Sequence, residues 1–320
     1  AGEALATEVA RFGPADAPNV LVIGSGTHGI EGFCGSGCQV ALMRDEVVVR
    51  PPSGVAVLLV HAHNPHGFAW GRRVTEEGVD LNRNFIDFAQ PLPANPGYGA
   101  IHGWLVPPRW AGPERDAAEA AIQAHIAEHG FAAWQQALTG GQHTHPDGLF
   151  FGGTAPTWSR RTLERILHDH VGHAKRVGFI DLHTGLGPTG YGEPIFPGGP
   201  DDPAHARARA WYGAAVTCPA DGSSTSATVH GTLYEGFRRA LPEAEITPIA
   251  LEYGTVPIAD MLLALRGDHW VHQYVDMTHP PCQELKARMR AAFYVETDAW
   301  KRAVVDRCVE VVGWALAALR

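Results

Sequence analysis

The sequence predicts an α/β protein in three layers, with helices on both faces of a mixed, largely parallel central sheet. Three observations carry this expectation. Two short apolar runs, NVLVIG at 19–24 and GVAVLLV at 54–60, have the unbroken hydrophobicity of strands buried on both faces. A helix-compatible segment at about 29–44 separates them, and the order strand, helix, strand implies a right-handed crossover between parallel neighbours. Two further runs, RVGFIDL at 176–182 and ITPIAL at 246–251, read as central strands that lead into polar residues, where functional groups collect in such sheets.

Helices are expected at 113–138, 159–171, 203–215, 257–274 and 282–319, several opened by Ser or Pro at capping positions. Two Gly/Pro-rich stretches, 85–108 and 139–156, read as long loops of the kind that often serve function. Neither resembles an interdomain linker and no internal repeat is present, so residues 1–320 are expected to form one domain. A chain of this length buries a sizeable core without disulfides. Its five cysteines (Cys34, Cys38, Cys218, Cys282, Cys308) are odd in number and scattered, which points to a reducing compartment, the cytoplasm.

With 25 basic against 34 acidic residues, a net charge of −9 and no long basic run, nucleic acid and other acidic partners are not expected. No apolar run approaches the roughly 18 residues that a membrane helix requires, and the start AGEALATEVARFG lacks a cationic segment followed by an apolar one. The expectation is therefore a soluble, unexported protein with no membrane partner. The first residue is not a methionine, which leaves open whether a segment precedes it. Oligomeric state is not legible in the sequence.

The chemistry starts at GTHGIEG, just after the first apolar run. His28 and Glu31 lie three positions apart, so at the start of a helix both project from one face and can share a zinc ion. A catalytic zinc takes three protein ligands and keeps a position for water. His183, in FIDLHTG at the end of a predicted strand, supplies the third. The same stretch satisfies a rival pattern, because Gly24, Gly26 and Gly29 spell the G-x-G-x-x-G of a dinucleotide-binding turn. That reading needs an acid at the end of the second strand to bind a ribose, and there the sequence has His61-Ala62-His63-Asn64-Pro65.

The segment 64–85, NPHGFAWGRRVTEEGVDLNRNF, gathers Arg72, Arg73, Asn82 and Arg83. Arginine suits bidentate capture of a carboxylate, and one arginine beside a metal can support an oxyanion as a carbonyl is attacked. Glu252 directly follows ITPIAL, at the sheet edge expected for His183, and a carboxylate there can act as general base.

Together, HGIE at 28–31, the NP…R…GVDLNRNF run, DLHTG around His183 and LEYGT around Glu252 resemble the zinc carboxypeptidases, the M14 metallopeptidases, including their aspartoacylase and succinylglutamate desuccinylase branch. Within that family the chain looks most like the DUF2817 branch. The resemblance implies a zinc carboxypeptidase-like fold and one Zn2+ per chain on His28, Glu31 and His183, with Glu252 activating water. It further implies that Asn82 and Arg83 hold a substrate carboxylate, that an upstream arginine polarises the scissile carbonyl, Arg73 being preferred over Arg72, and that Asp80 orients His28. Arg72 is then an additional substrate-binding residue. The family's mobile tyrosine has no clear counterpart: Tyr234 in HGTLYEGF is the nearest, with His230 close by, and this puts peptides as substrates in question.

The expected substrate is a short peptide or small molecule with a free carboxylate, cleaved by a carboxypeptidase or by a deacylase of N-acyl amino acids. The contrasting expectation is a non-catalytic binding module or a nucleotide-binding protein. Other features read as structural. His143 and His145 fall in a long loop and read as solvated rather than as shaping the pocket or binding a stray metal, His168, His170 and His173 as surface residues, and Cys34 with Cys38 as a packed helix face rather than metal ligands or a redox pair. Trp70, Trp104, Trp110 and Trp158 lie in or beside loops, as core or rim packing or as walls of a pocket.

Overall fold

A computed structural model describes residues 2–275 and 280–320. Among them, six strands form one sheet: β1 (Glu8–Phe12), β2 (Asn19–Ser25), β3 (Val55–His61), β4 (Arg176–Thr189), β5 (Gly192–Ile195) and β6 (Glu245–Gly254), in the order β1-β3-β2-β4-β6-β5. The four interior strands run parallel, while β1 and β5 close the edges antiparallel. The interior strands are the apolar runs seen in the sequence, and residues 20–23 and 55–60 are buried throughout. Register aligns the carboxyl ends: Ser25 pairs with Leu182, and His183 with Glu252.

The helices are α1 (Gly32–Leu42), α2 (Glu46–Val49), α3 (Pro65–Trp70), α4 (Pro96–Leu105), α5 (Pro113–His129), α6 (Phe131–Thr139), α7 (Trp158–Val171), α8 (Pro203–Tyr212), α9 (Leu233–Ala240), α10 (Ile258–Tyr274), α11 (Pro280–Phe293) and α12 (Asp298–Leu319). Consecutive strand residues face opposite ways. A side chain at Gly178 would meet Trp211 of α8 and Leu319 of α12, whereas the next residue, Phe179, stacks on Phe237 of α9 at 3.9 Å. With α1 packed on α12 and α7 on α9, both faces are covered and the three-layer α/β/α architecture follows.

Several boundaries differ from expectation. The helix expected at 113–138 breaks at Gly130 (φ 85°) into α5 and α6, and the stretch 282–319 breaks before Thr297, whose hydroxyl accepts from Trp300 N to cap α12. The helix expected at 203–215 stops at Tyr212, where Gly213 (φ 83°) leaves helical space. The supposed loop 85–108 contains α4, capped by Asn95 Oδ1 accepting from Tyr98 N at 3.1 Å with Pro96 in its first turn. The short edge strands β1 and β5 carried too little hydrophobic signal to be foreseen. No helix among the described residues is long and apolar enough to cross a membrane.

Candidate metal centre

The segment that follows β2 turns sharply under α3, and its glycines have packing reasons. A side chain at Gly24 would meet the His63 ring at 2.2 Å, one at Gly26 (φ 67°) would meet Ala62 at 2.7 Å, and one at Gly29 would meet the Gly67 backbone at 1.9 Å. The G-x-G-x-x-G pattern is thus accounted for by the close approach of the segment after β3, with no phosphate needed. Two amides of the turn, Gly29 N and Ile30 N, donate to the carbonyls of Arg73 (3.3 Å) and Arg72 (2.8 Å), so the arginine pair holds the metal motif through its backbone.

His28 and Glu31 then meet His183 from the end of β4. His28 Nδ1 lies 2.8 Å from Glu31 Oε1, and His183 Nδ1 lies 2.8 Å from Glu31 Oε2. All three residues are buried, with relative exposures of 4%, 2% and 4%. Each imidazole is backed on its other nitrogen by a buried carboxylate: His28 Nε2 by Asp80 Oδ1 at 3.2 Å, and His183 Nε2 by Asp181 Oδ2 at 2.6 Å. Asp181 is itself held by the Thr27 hydroxyl at 2.8 Å. Two nitrogens and a carboxylate that converge, with carboxylates orienting the rings, are a donor set that fits zinc.

The electrostatics follow from burial and proximity. Burial alone would raise Glu31, but the charge of His28 and hydrogen bonds from both histidines hold its carboxyl far below the usual range. Burial likewise opposes, and Arg73 and Arg83 overcome, the ionisation of Asp80, which sits well below its ordinary value. Burial also disfavours charge on His183, yet the Asp181 carboxylate lifts it well above an ordinary imidazole. At Glu252, burial and then the Glu31 charge outweigh the nearby His183 and Arg73 and push it up to about 8. Its Oε1 accepts from Leu186 N at 3.0 Å, which aims the carboxyl along the sheet edge.

Arg73 faces the centre: its Nε donates to Asp80 Oδ2 at 2.9 Å, its Nη1 lies 3.5 Å from Glu31 Oε1, and its guanidinium sits 4.9 Å from the Phe150 ring centroid. Arg72, expected to contact substrate as well, is turned away toward Asp268 at 3.7 Å and is not among the residues lining the cavity. Adjacent residues of an extended turn point apart, so only one of the pair can face the centre. Asn82 Oδ1 accepts from Leu233 N at 3.0 Å, which leaves its Nδ2 group as the donor available to the cavity it lines. Arg83 is buried and anchored by bonds to the carbonyls of Asn82 (2.8 Å) and Thr139 (2.6 Å), and burial lowers its pKa to about 10, so it stays charged at neutral pH. Tyr234 lines the far part of the cavity and donates to Asp202 Oδ2 at 2.9 Å; His230 is exposed at the same side.

These groups line one cavity of about 490 Å³. Its aromatic walls are Phe150, Phe293 and Tyr234, and none of the four loop tryptophans takes part. Sequence reasoning missed Asp181, although D-x-H on a strand puts both side chains on one face. It also missed Phe150, held at φ 55°, and Glu193, a buried carboxylate that accepts from Thr225 Oγ1 at 2.6 Å and Ser224 Oγ at 3.0 Å and so fastens the loop over the cavity. The solvated reading of 143–145 fails: His143 is buried with Nδ1 2.8 Å from Gly153 O, and His145 stacks on His102. His168 and His173 are exposed and His170 is half-buried; Cys34 and Cys38 are buried in α1, with Cys38 against Cys308 of α12.

No curated protein sequence matches the chain at a significant level. Solved structures similar to it include the carboxypeptidase A of Helicoverpa armigera, at 13% identity and TM-score 0.43, covering 89% of this chain and 65% of that one. The succinylglutamate desuccinylase of Chromobacterium violaceum is similar at 12% identity and TM-score 0.40, covering 91% of this chain and 70% of that one. The murein-tripeptide amidase MpaA of Escherichia coli O157 is similar at 14% identity and TM-score 0.34, covering 88% and 84%. This chain therefore spans less than two thirds of the insect carboxypeptidase, and at TM-scores this low none of the three bears on the reading of the site. A family model, by contrast, matches residues 1–307, and the chain belongs to that family, DUF2817, described as a protein of unknown function.

Proposed function

We propose that this protein is a zinc-dependent hydrolase that cleaves an amide or peptide bond beside a free carboxylate. The convergence of His28, Glu31 and His183, each imidazole backed by its own buried aspartate, carries this reading. Zinc, one ion per chain, would when bound supply a Lewis acid for the scissile carbonyl and raise the acidity of a water. Glu252, acting in its ionised form, takes a proton from the attacking water and delivers it to the leaving amine. Arg73 supports the negative charge that develops on the carbonyl oxygen. Asn82 Nδ2 and Arg83 hold the substrate carboxylate, Asp80 orients His28, and Tyr234 closes the far side.

The cavity volume of about 490 Å³ suits a dipeptide or an N-acyl amino acid. Its roof is fastened from two sides, by Glu193 and by Gln136 Nε2 donating to Thr228 O at 2.8 Å, which favours small substrates and keeps a deacylase beside a carboxypeptidase as the activity. The scattered cysteines suit a reducing, cytoplasmic setting.

Hydrolysis of a panel of dipeptides, N-acyl amino acids and their C-terminally amidated forms tests the reading. Free-carboxylate compounds should be cleaved and amidated ones spared. Glu252→Gln should keep its zinc by elemental analysis while kcat falls about 10²–10⁴-fold. Undiminished turnover in that variant would sink the proposed chemistry, and a wild-type chain that cleaves nothing would favour a binding module.

A further inference from the structure

A second cluster of side chains able to hold a metal ion lies outside the cavity. His102 projects from α4, and His145 and Asp147 project from the loop that follows α6; one donor atom of each lies within 4.8 Å of the others. His102 Nε2 and Asp147 Oδ1 are 3.6 Å apart. Two ligands of a tetrahedral zinc at about 2.0–2.1 Å each stand roughly 3.3–3.4 Å from one another, so a small rotamer adjustment brings this pair to ligand spacing. The His102 and His145 rings are stacked at 4.0 Å and 21°. His102 Nδ1 has no hydrogen-bond partner among the described residues.

The backbone beneath this cluster is occupied elsewhere, which frees the side chains. Gln142 Oε1 accepts from Thr144 N (2.9 Å) and His145 N (2.7 Å), Gly148 N closes a turn on His145 O at 2.9 Å, and Asp147 O takes His269 Nε2 at 2.8 Å. The turn is thus held in place with its imidazole and carboxylate presented toward α4. Asp147 is exposed, with 72% of its side-chain surface accessible, so an ion reaches the cluster directly from solvent.

We propose that His102, His145 and Asp147 form a second site for a divalent transition metal of the zinc class, which staples α4 to the 142–151 turn. That turn leads directly into Phe150, whose ring lies against Arg73 and Arg83, so the staple holds one wall of the cavity. This inference does not rest on the hydrolase reading, because it uses none of the residues of that centre.

Zinc titration of chelator-stripped protein, followed by calorimetry and by the thermal midpoint, tests it. His183→Ala, which disables the buried centre, should still bind one zinc and gain in midpoint on zinc addition. Both responses should vanish in His183→Ala/His145→Ala and in His183→Ala/Asp147→Asn, the latter an exposed change that leaves packing intact. Zinc bound undiminished in the double variants would place the ion on other histidines and overturn the proposal, as would a His183→Ala protein that binds none. A wild type that binds a single zinc, lost with His145→Ala and kept with His183→Ala, would support the surface site and count against the buried one.

Discussion

His28, Glu31 and His183 meet at the carboxyl edge of the sheet, inside the core; His102, His145 and Asp147 meet at the surface, between a helix and a turn. Both clusters hold two imidazoles and a carboxylate. In the buried one, Asp80 and Asp181 engage the remaining ring nitrogens and set ring orientation before any ligand arrives. In the surface one, the rings lean on each other and no carboxylate stands behind them among the described residues. The difference teaches that residue type makes a ligand available, whereas a folded scaffold behind it makes the ligand strong.

The largest expected effect breaks the backing itself. Asp181→Asn should weaken zinc at the buried centre about 10–100-fold, read by competition with a chromophoric chelator, while leaving the surface site's affinity unchanged. Equal affinities in wild type and variant would mean that the backing carboxylate contributes nothing and that the contrast between the clusters is empty.

A smaller effect concerns protons. His63, packed behind the centre with no partner for either ring nitrogen among the described residues, is brought by burial to about 4 against an ordinary value of 6.5. Its folded value is depressed, so the neutral ring contributes stability above about 6.5 that is lost as the pH falls toward 4. Urea midpoints measured over that window should fall more steeply for wild type than for His63→Gln, and parallel slopes would remove His63 from the account.

The smallest effect is at the surface. In the presence of chelator, His102→Ala should cost about 1 kcal/mol or less, since its ring is partly exposed and its partners are the His145 and Tyr98 rings and Asp147. A larger loss would show that the stacked pair is already structural without an ion.

Much of the fold was legible because the interior strands are short apolar runs and their order admits few topologies. The helix α4 was not: Gly97, Gly99 and Gly103 lower its intrinsic propensity by about 1 kcal/mol each, and burial of Tyr98, Ile101 and Leu105 decides the matter instead. His183 and Glu252 stood out because each directly follows an apolar run, and His28 with Glu31 because their three-residue spacing just after another such run puts both on one face. Arg73 was preferred over Arg72 only through the resemblance, since their roles depend on whether Asp80 or Asp268 lies on a given side of the turn. His145 resembled a loop residue because its partner His102 is far away in sequence.

By itself the sequence determined the four interior strands, the crossover and which side chains of the buried centre could hold a metal, bind an anion or move a proton, because those depend on local pattern and side-chain chemistry. Only the tertiary structure decided that His183 pairs in register with Glu252, that Asp181 and Asp80 stand behind the imidazoles, and that Arg73 rather than Arg72 faces them. Those outcomes rest on strand register, turn direction and close backbone approach, which come from contacts between distant segments and leave no periodic trace along the chain.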